Sequence, residues 1–294
     1  MTAAETATQR STLPAALVSV DWARDHLDDA GVRFIEVDVD TAAYDTGHLP
    51  GATGFNWQTD LNDPARRDLA SREQLTELLR KAGVDDDTTI VLYGDNHNWF
   101  AAWAYWQLRY MGLDNVRLID GGRARAEAAG LPLTTDAPVI ARGSITLPAD
   151  TREELRSRRD QVLAGIGSPS RGMVDVRSPE EFRGELAAPA HLPQEAAQRK
   201  GHVPGAVNVP WSSVVAEDGT FKPVDELRAL YAGKGVTPEQ EVIAYCRIGE
   251  RSSHTWFVLS ELLGYPTVRN YDGSWTEYGS LVGAPIETGD GGAS

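Results

Sequence analysis

Gly47-His48-Leu49-Pro50-Gly51-Ala52 returns later in the chain as Gly201-His202-Val203-Pro204-Gly205-Ala206, and this recurrence decides the fold. Self-similarity at a long period marks a duplicated structural unit and ranks ahead of any element-by-element reading. Each copy follows a strand-like stretch with alternating acidic residues, Phe34 to Val39 and Met173 to Val176, and precedes a tryptophan, Trp57 and Trp211. Farther on, Ile90-Val91-Leu92-Tyr93 matches Val242-Ile243-Ala244-Tyr245, and Leu118-Ile119-Asp120-Gly121-Gly122 matches Arg269-Asn270-Tyr271-Asp272-Gly273. Landmarks repeated in one order make the chain two copies of one α/β domain.

Between the landmarks, short apolar strands alternate with amphipathic helices such as Ser71 to Lys81 and Asp225 to Tyr231. That alternation predicts a parallel sheet with helices on both faces in each copy. The expected domains are 13–135 and 146–287, with the seam in Thr134 to Asp150, which is rich in Ala, Thr, Pro and Gly. The second copy is longer because of Gly184 to Lys200, expected as a surface insertion or a cleft wall. Glycine and proline in the Gly-His-x-Pro-Gly-Ala element predict a turn whose histidine bonds locally. A histidine base beside a nucleophile is the alternative, and its presence in both copies argues against it. Trp99, Trp103 and Trp106 share a helix face and are expected in a core or a domain interface. Gly165-Ile166-Gly167 precedes a strand and Gly233-Lys234-Gly235 lacks a phosphate-binding loop, so both read as turns.

Composition narrows the function. The chain has 294 residues, 41% hydrophobic and 24% charged, enough for two cores. Its net charge of −15 opposes nucleic acid as a partner. No segment reaches membrane-spanning length, and Met1 to Thr12 lacks the basic start and apolar stretch of a secretion signal, so a cytoplasmic location is expected. One cysteine excludes dithiol and multi-cysteine metal sites, and the six histidines form no H-x-x-x-H pair. Neither a metal nor another cofactor is expected.

That single cysteine, Cys246, stands in Tyr245-Cys246-Arg247-Ile248-Gly249-Glu250-Arg251-Ser252. A free cysteine is usually an apolar filler. Here it ends the β-branched run Glu241 to Tyr245 and precedes Ser252 to Leu263, a predicted helix with Trp256, Leu259 and Leu263 on its apolar face. The carboxyl end of a strand is where open α/β sheets place their ligands. Arg247 and Arg251 predict a positive field that favours the thiolate. Aligning the tyrosines sets Gly94-Asp95-Asn96-His97-Asn98 opposite this loop, without thiol or arginine. The first domain is therefore expected to be non-catalytic and to frame the cleft.

With these residues in place, the sequence resembles the tandem-domain rhodanese family, the thiosulfate and 3-mercaptopyruvate sulfurtransferases, from about Leu13 to Ile286. The likeness rests on the doubled Gly-His-x-Pro-Gly-Ala element, Val174-Asp175-Val176-Arg177-Ser178-Pro179-Glu180-Glu181-Phe182, the Cys-Arg-x-Gly-x-Arg loop and the Asp272-Gly273 turn. The resemblance implies that Cys246 is the nucleophile and becomes a persulfide. Arg247, Ile248, Gly249, Glu250, Arg251 and Ser252 would then bind substrate through loop N–H groups and side chains, with the helix N-terminus behind them. Arg183 resembles the position from which the family sends a further arginine to the substrate; the alternative is a surface arginine paired with Glu181 or Glu185.

The implied partners are a small sulfur donor, thiosulfate, and a thiophilic acceptor, cyanide or a thiol, with neither nucleic acid nor membrane involved. The two loop arginines favour the thiosulfate dianion over 3-mercaptopyruvate. Two departures stand out: Ile248 where thiosulfate enzymes often carry lysine, and Glu250, a carboxylate in an anion-binding loop. If Glu250 points inward, thiosulfate affinity should suffer. A persulfide relay serving a protein partner is a competing expectation. A Cys-x5-Arg phosphatase or arsenate reductase is the other rival, disfavoured because the loop is Cys-x4-Arg and Tyr245 replaces the usual preceding histidine.

Overall fold

The computed structural model describes residues 14–63, 65–188 and 197–291. In chain order its strands are β1 (Leu17–Val18), β2 (Val32–Glu36), β3 (Thr53–Gly54), β4 (Asn62–Asp63), β5 (Asp68–Leu69), β6 (Thr89–Tyr93), β7 (Val116–Ile119), β8 (Arg171–Asp175), β9 (Val207–Asn208), β10 (Glu241–Tyr245) and β11 (Val268–Tyr271). The first domain holds a parallel sheet in the order β1-β7-β6-β2-β3, the second one in the order β11-β10-β8-β9. β4 and β5 form a small antiparallel ribbon beside the first sheet.

The central strands are near-continuously apolar because both of their faces are buried. In β6, Ile90 and Leu92 point into one core while Val91 and Tyr93 point into another. β10 repeats this with Val242 on one side and Ile243 and Tyr245 on the other. One of these cores is continuous across the two domains: Leu92, Trp103 and Trp106 share it with Val242, Cys246, Trp256 and Phe257. The helices Asp95–Tyr110 and Glu250–Phe257 pack together at its centre. Trp103 and Trp106 thus lie at the domain interface, where the Trp106 indole donates to the Leu155 carbonyl at 3.1 Å.

The duplication is visible down to single hydrogen bonds. The Tyr93 hydroxyl accepts from the Leu49 amide at 3.0 Å, and the Tyr245 hydroxyl from the Val203 amide at 3.1 Å. His48 Nδ1 bonds the Tyr44 carbonyl, and His202 Nδ1 the Phe182 carbonyl, each ring stacked on that aromatic side chain. The expected local bond holds for His48, four residues from Tyr44, whereas His202 reaches back twenty residues to Phe182 because the helix Pro179–Arg183 lies against the turn.

Elements differ from the expected bounds mainly at their ends. Ser71 caps the helix Arg72–Lys81 in a capping box with Gln74. The helix expected from Ser252 begins earlier, at Glu250, and runs into a π turn over Val258–Leu262. The segment after Thr134 is strapped to the first domain: the Gly143 amide donates to the Arg80 carbonyl at 2.8 Å and the Ile145 amide to the Val84 carbonyl at 3.1 Å. Ile145 and Leu147 are buried under it. Of the insertion expected over Gly184 to Lys200, residues 189–196 lie outside the described residues, as do residues 1–13. Among the described residues, no helix is long and apolar enough to cross a membrane.

Candidate functional site

Cys246 follows directly on β10 and is completely buried. Its Sγ accepts from the Gly249 amide at 3.1 Å, so the chain from Cys246 to Gly249 curls around the sulfur. Gly249 permits the curl: its φ is +97°, and a Cβ there would lie 2.6 Å from the Asp272 Cα. Only glycine combines that conformation with so close an approach.

The turn after β11 holds the loop from behind. The Ser274 hydroxyl accepts from the Cys246 amide at 3.0 Å and donates to the Tyr271 carbonyl at 2.6 Å. Ser274 itself sits at φ +49°, a conformation that costs a non-glycine residue on the order of 1 kcal/mol or more. The carbonyls of Cys246 and Arg247 accept from the amides of Trp275 and Thr276, both at 3.0 Å. Asn270 on β11 donates to the Gly249 carbonyl at 3.0 Å and accepts from the Ser252 hydroxyl at 2.6 Å. Loop and turn form one hydrogen-bonded block.

Glu250 points inward and is fully buried. Its Oε2 accepts from the Cys246 thiol and from the Ile248 amide, both at 3.2 Å. Its Oε1 faces guanidinium nitrogens of Arg247 at 3.7 Å and Arg251 at 4.0 Å. Burial pushes the Cys246 thiol above its ordinary value, Glu250 adds to the rise, and Arg251 and Ser252 offset only part of it. Against the expectation of a positive field that favours the thiolate, burial and a carboxylate within hydrogen-bonding reach outweigh Arg251 and favour the neutral thiol.

Arg251 is anchored by a residue of the helix that follows β8. Its Nη1 and Nη2 donate to Glu181 at 2.9 and 3.2 Å, and the guanidinium lies 5.8 Å from the Trp99 ring centre. Glu181 belongs to the short helix Pro179–Arg183, where it also caps the Ser178 amide at 3.0 Å. Burial raises the Glu181 carboxyl, but Arg251, the Ser178 amide and Arg177 more than reverse this and hold it below its ordinary range. Arg183 takes no part in this block. It pairs with Glu185 at 2.7 Å, one of the two surface partners weighed as its alternative, and faces Glu180 at 3.8 Å.

The first-domain counterpart is closed on itself. Asn96, His97 and Asn98 all have left-handed φ, and the Asp95 carboxylate accepts from the amides of Val39 and Asp40 at 2.6 and 3.1 Å. The His97 carbonyl accepts from His254 Nε2 at 3.1 Å, tying this loop to the helix Glu250–Phe257. Burial pushes His254 down to about 3, so its ring is neutral across ordinary pH.

A cleft of about 260 Å³ between the domains is lined by Trp57, Arg67, Asp68, Trp103, Ile248 and Asp272. Ile248 brings it to the Cys246 loop. Arg156 joins two of these lining residues, donating to Asp68 of the first domain at 2.7 Å and to Asp272 of the second at 2.6 and 2.8 Å. Among the described residues, no group of three or more His, Cys, Asp or Glu side chains could hold a metal ion.

Of the residues singled out from the sequence, the structure brings together Cys246, Arg247, Ile248, Gly249, Glu250, Arg251 and Ser252, and leaves Arg183 outside. Sequence reasoning missed Glu181, Asn270, Ser274 and Trp99. The Ser178-Pro179-Glu180-Glu181 string carried a readable helix-start signal, and Asn270 and Ser274 flank the repeated Asp272-Gly273 turn. No sequence signal paired Trp99 with Arg251.

Comparison with known proteins gives a consistent answer. The rhodanese-like domain matches the chain twice, over residues 19–128 and 158–281. A Mycolicibacterium smegmatis protein named "Putative thiosulfate sulfurtransferase" is 55% identical over 273 residues, covering 93% of this chain and 98% of that protein. The "Sulfur carrier protein TtuD" of Thermus thermophilus is 51% identical over 280 residues, covering 94% and 98%. Among solved structures, YnjE aligns with a TM-score of 0.81 at 27% identity over 93% of this chain and 68% of its own. A persulfide form of EanB with ergothioneine aligns with a TM-score of 0.80 at 26% identity, covering 94% and 71%. The sequence, the doubled sheet and these matches agree: the chain belongs to the rhodanese-like family, with two copies of its domain.

Proposed function

We propose that this protein is a sulfurtransferase that takes the outer, sulfane sulfur of thiosulfate onto Cys246 and passes it to cyanide or a thiol. The observation that carries this reading is the Cys246 sulfur itself, seated at the end of β10 and accepting the Gly249 amide inside a loop that the first domain lacks. Cys246 attacks as the thiolate; the bond between the two sulfurs of thiosulfate breaks, and sulfite leaves with the electron pair. The second half-reaction returns Cys246 to its starting state. This is covalent, ping-pong catalysis.

Arg247, Ile248, Gly249, Glu250, Arg251 and Ser252 form the proposed donor site, with Arg247 and Arg251 supplying positive charge. The inward Glu250 carboxylate weakens thiosulfate binding, and the loop length, Cys-x4-Arg, supports sulfur over phosphate chemistry. The EanB likeness supports a persulfide on this fold, and the M. smegmatis relative supports thiosulfate as donor. 3-Mercaptopyruvate is the alternative donor. A second reading, delivery to a protein acceptor, draws on the likeness to the T. thermophilus sulfur carrier. Location in the cytoplasm accords with either reading.

Steady-state kinetics test the proposal. Parallel double-reciprocal lines for thiosulfate and cyanide, and complete loss of turnover in Cys246→Ala, are the expected results. Intersecting lines, or residual turnover in the variant, would oppose it.

A further inference from the structure

The Glu250 carboxylate is out of place in a loop that binds dianions, and its position is specific. It is fully buried, touches the reacting sulfur at 3.2 Å, and occupies the Ile248 amide, one of the loop's inward donors. The groups facing it are Cys246, Arg247 and Arg251, with Glu181 behind Arg251. Two guanidinium groups keep a buried carboxylate in place beside a thiol, an arrangement suited to moving a proton and poorly suited to welcoming an anion.

We propose that Glu250 is a further catalytic residue that takes the proton of an incoming thiol acceptor and returns it to Cys246, so that the loop delivers sulfur to thiols in preference to cyanide. This rests on the sulfurtransferase reading and adds the acceptor class to it. In the delivery step the acceptor RSH gives its proton to Glu250, and RS⁻ attacks the outer sulfur of the Cys246 persulfide. The S–S bond breaks, and its electron pair goes to the Cys246 sulfur, which receives the proton from Glu250. RSH and Cys–S–SH become RSSH and Cys–SH, with no net proton, oxidant or reductant required. In the loading step Cys–SH and thiosulfate become Cys–S–SH and sulfite, the proton ending on the outer sulfur, so Glu250 is ionised when delivery begins. Cyanide ion brings no proton and gains nothing from the carboxylate.

The test is single-turnover discharge of protein first loaded with thiosulfate, with loading checked by intact mass and with 2-mercaptoethanol or cyanide as acceptor. Glu250→Gln should slow discharge to the thiol by about 100-fold or more, the usual range for a lost proton-transfer group. The same variant should discharge faster to cyanide and load at lower thiosulfate concentration, because no carboxylate faces either anion. Glu250→Asp should recover part of the thiol rate. Equal slowing with both acceptors, unchanged discharge to the thiol, or failure of Glu250→Gln alone to load would overturn the assignment. Wild-type protein that takes up no sulfur would instead overturn the sulfurtransferase reading on which it rests.

Discussion

Replacing Glu181 with glutamine isolates the charge that holds Arg251 in the loop. Glutamine fills the same volume and can still cap the Ser178 amide, so the helix Pro179–Arg183 keeps its start. What disappears is the carboxylate facing a guanidinium that is 6% exposed, across contacts of 2.9 and 3.2 Å. Removing one partner of a buried pair costs about 3–5 kcal/mol, because the other charge stays buried. The residual amide contact puts the expected loss at the lower end, about 3 kcal/mol, or roughly a hundredfold in the folding equilibrium. Urea unfolding at neutral pH reads that loss directly.

A second readout runs the other way. With Glu181 neutral, the positive charge of Arg251 bears more fully on the sulfur, so alkylation of Cys246 by iodoacetamide should speed up although the protein is less stable. The pH dependence has a defined sign as well. Glu181 is held below its ordinary 4.5, so its contribution is complete above that value and disappears as pH falls through the lower folded value. Glu181→Gln should therefore lose most stability at neutral pH and converge on wild type in acid. A loss under about 1 kcal/mol, the range of an exposed pair, with unchanged alkylation would refute the reasoning.

Other substitutions probe separate parts of the account. His254 is held near 3 when folded and returns to about 6.5 on unfolding, so protonation favours the unfolded chain as pH falls from 6.5 towards 3. His254→Gln should flatten the fall in stability over that window by on the order of a few kcal/mol, measured by urea titration at stepped pH. Gly249→Ala places a Cβ against the Asp272 backbone at φ +97° and should cut thiosulfate turnover by about two orders of magnitude through loss of the Gly249 amide at the sulfur. Arg183→Ala should change the thiosulfate KM by less than about twofold, since an exposed pair with Glu185 contributes little; a tenfold rise would place Arg183 at the substrate after all.

The fold was legible because duplication repeats its own evidence. The histidines of the two Gly-His-x-Pro-Gly-Ala turns, and the tyrosines that end β6 and β10, make matching hydrogen bonds in both domains. The Cys246 loop was legible as a contiguous string. What escaped is what depends on contacts between distant segments: Glu181 reaching Arg251, Ser274 under the Cys246 amide, and Trp99 of the first domain beside a second-domain guanidinium. The expectation of a field that favours the thiolate is opposed for a related reason. Counting nearby arginines in sequence cannot weigh burial or the rotamer of Glu250, and both act against the charged sulfur.

The most direct test of the account is the intact mass of the protein after incubation with thiosulfate. The account predicts one added sulfur, located on Cys246, absent from Cys246→Ser, and removed by cyanide as thiocyanate. Protein that stays unmodified with thiosulfate and with 3-mercaptopyruvate, or an added sulfur that persists in Cys246→Ser, would contradict it.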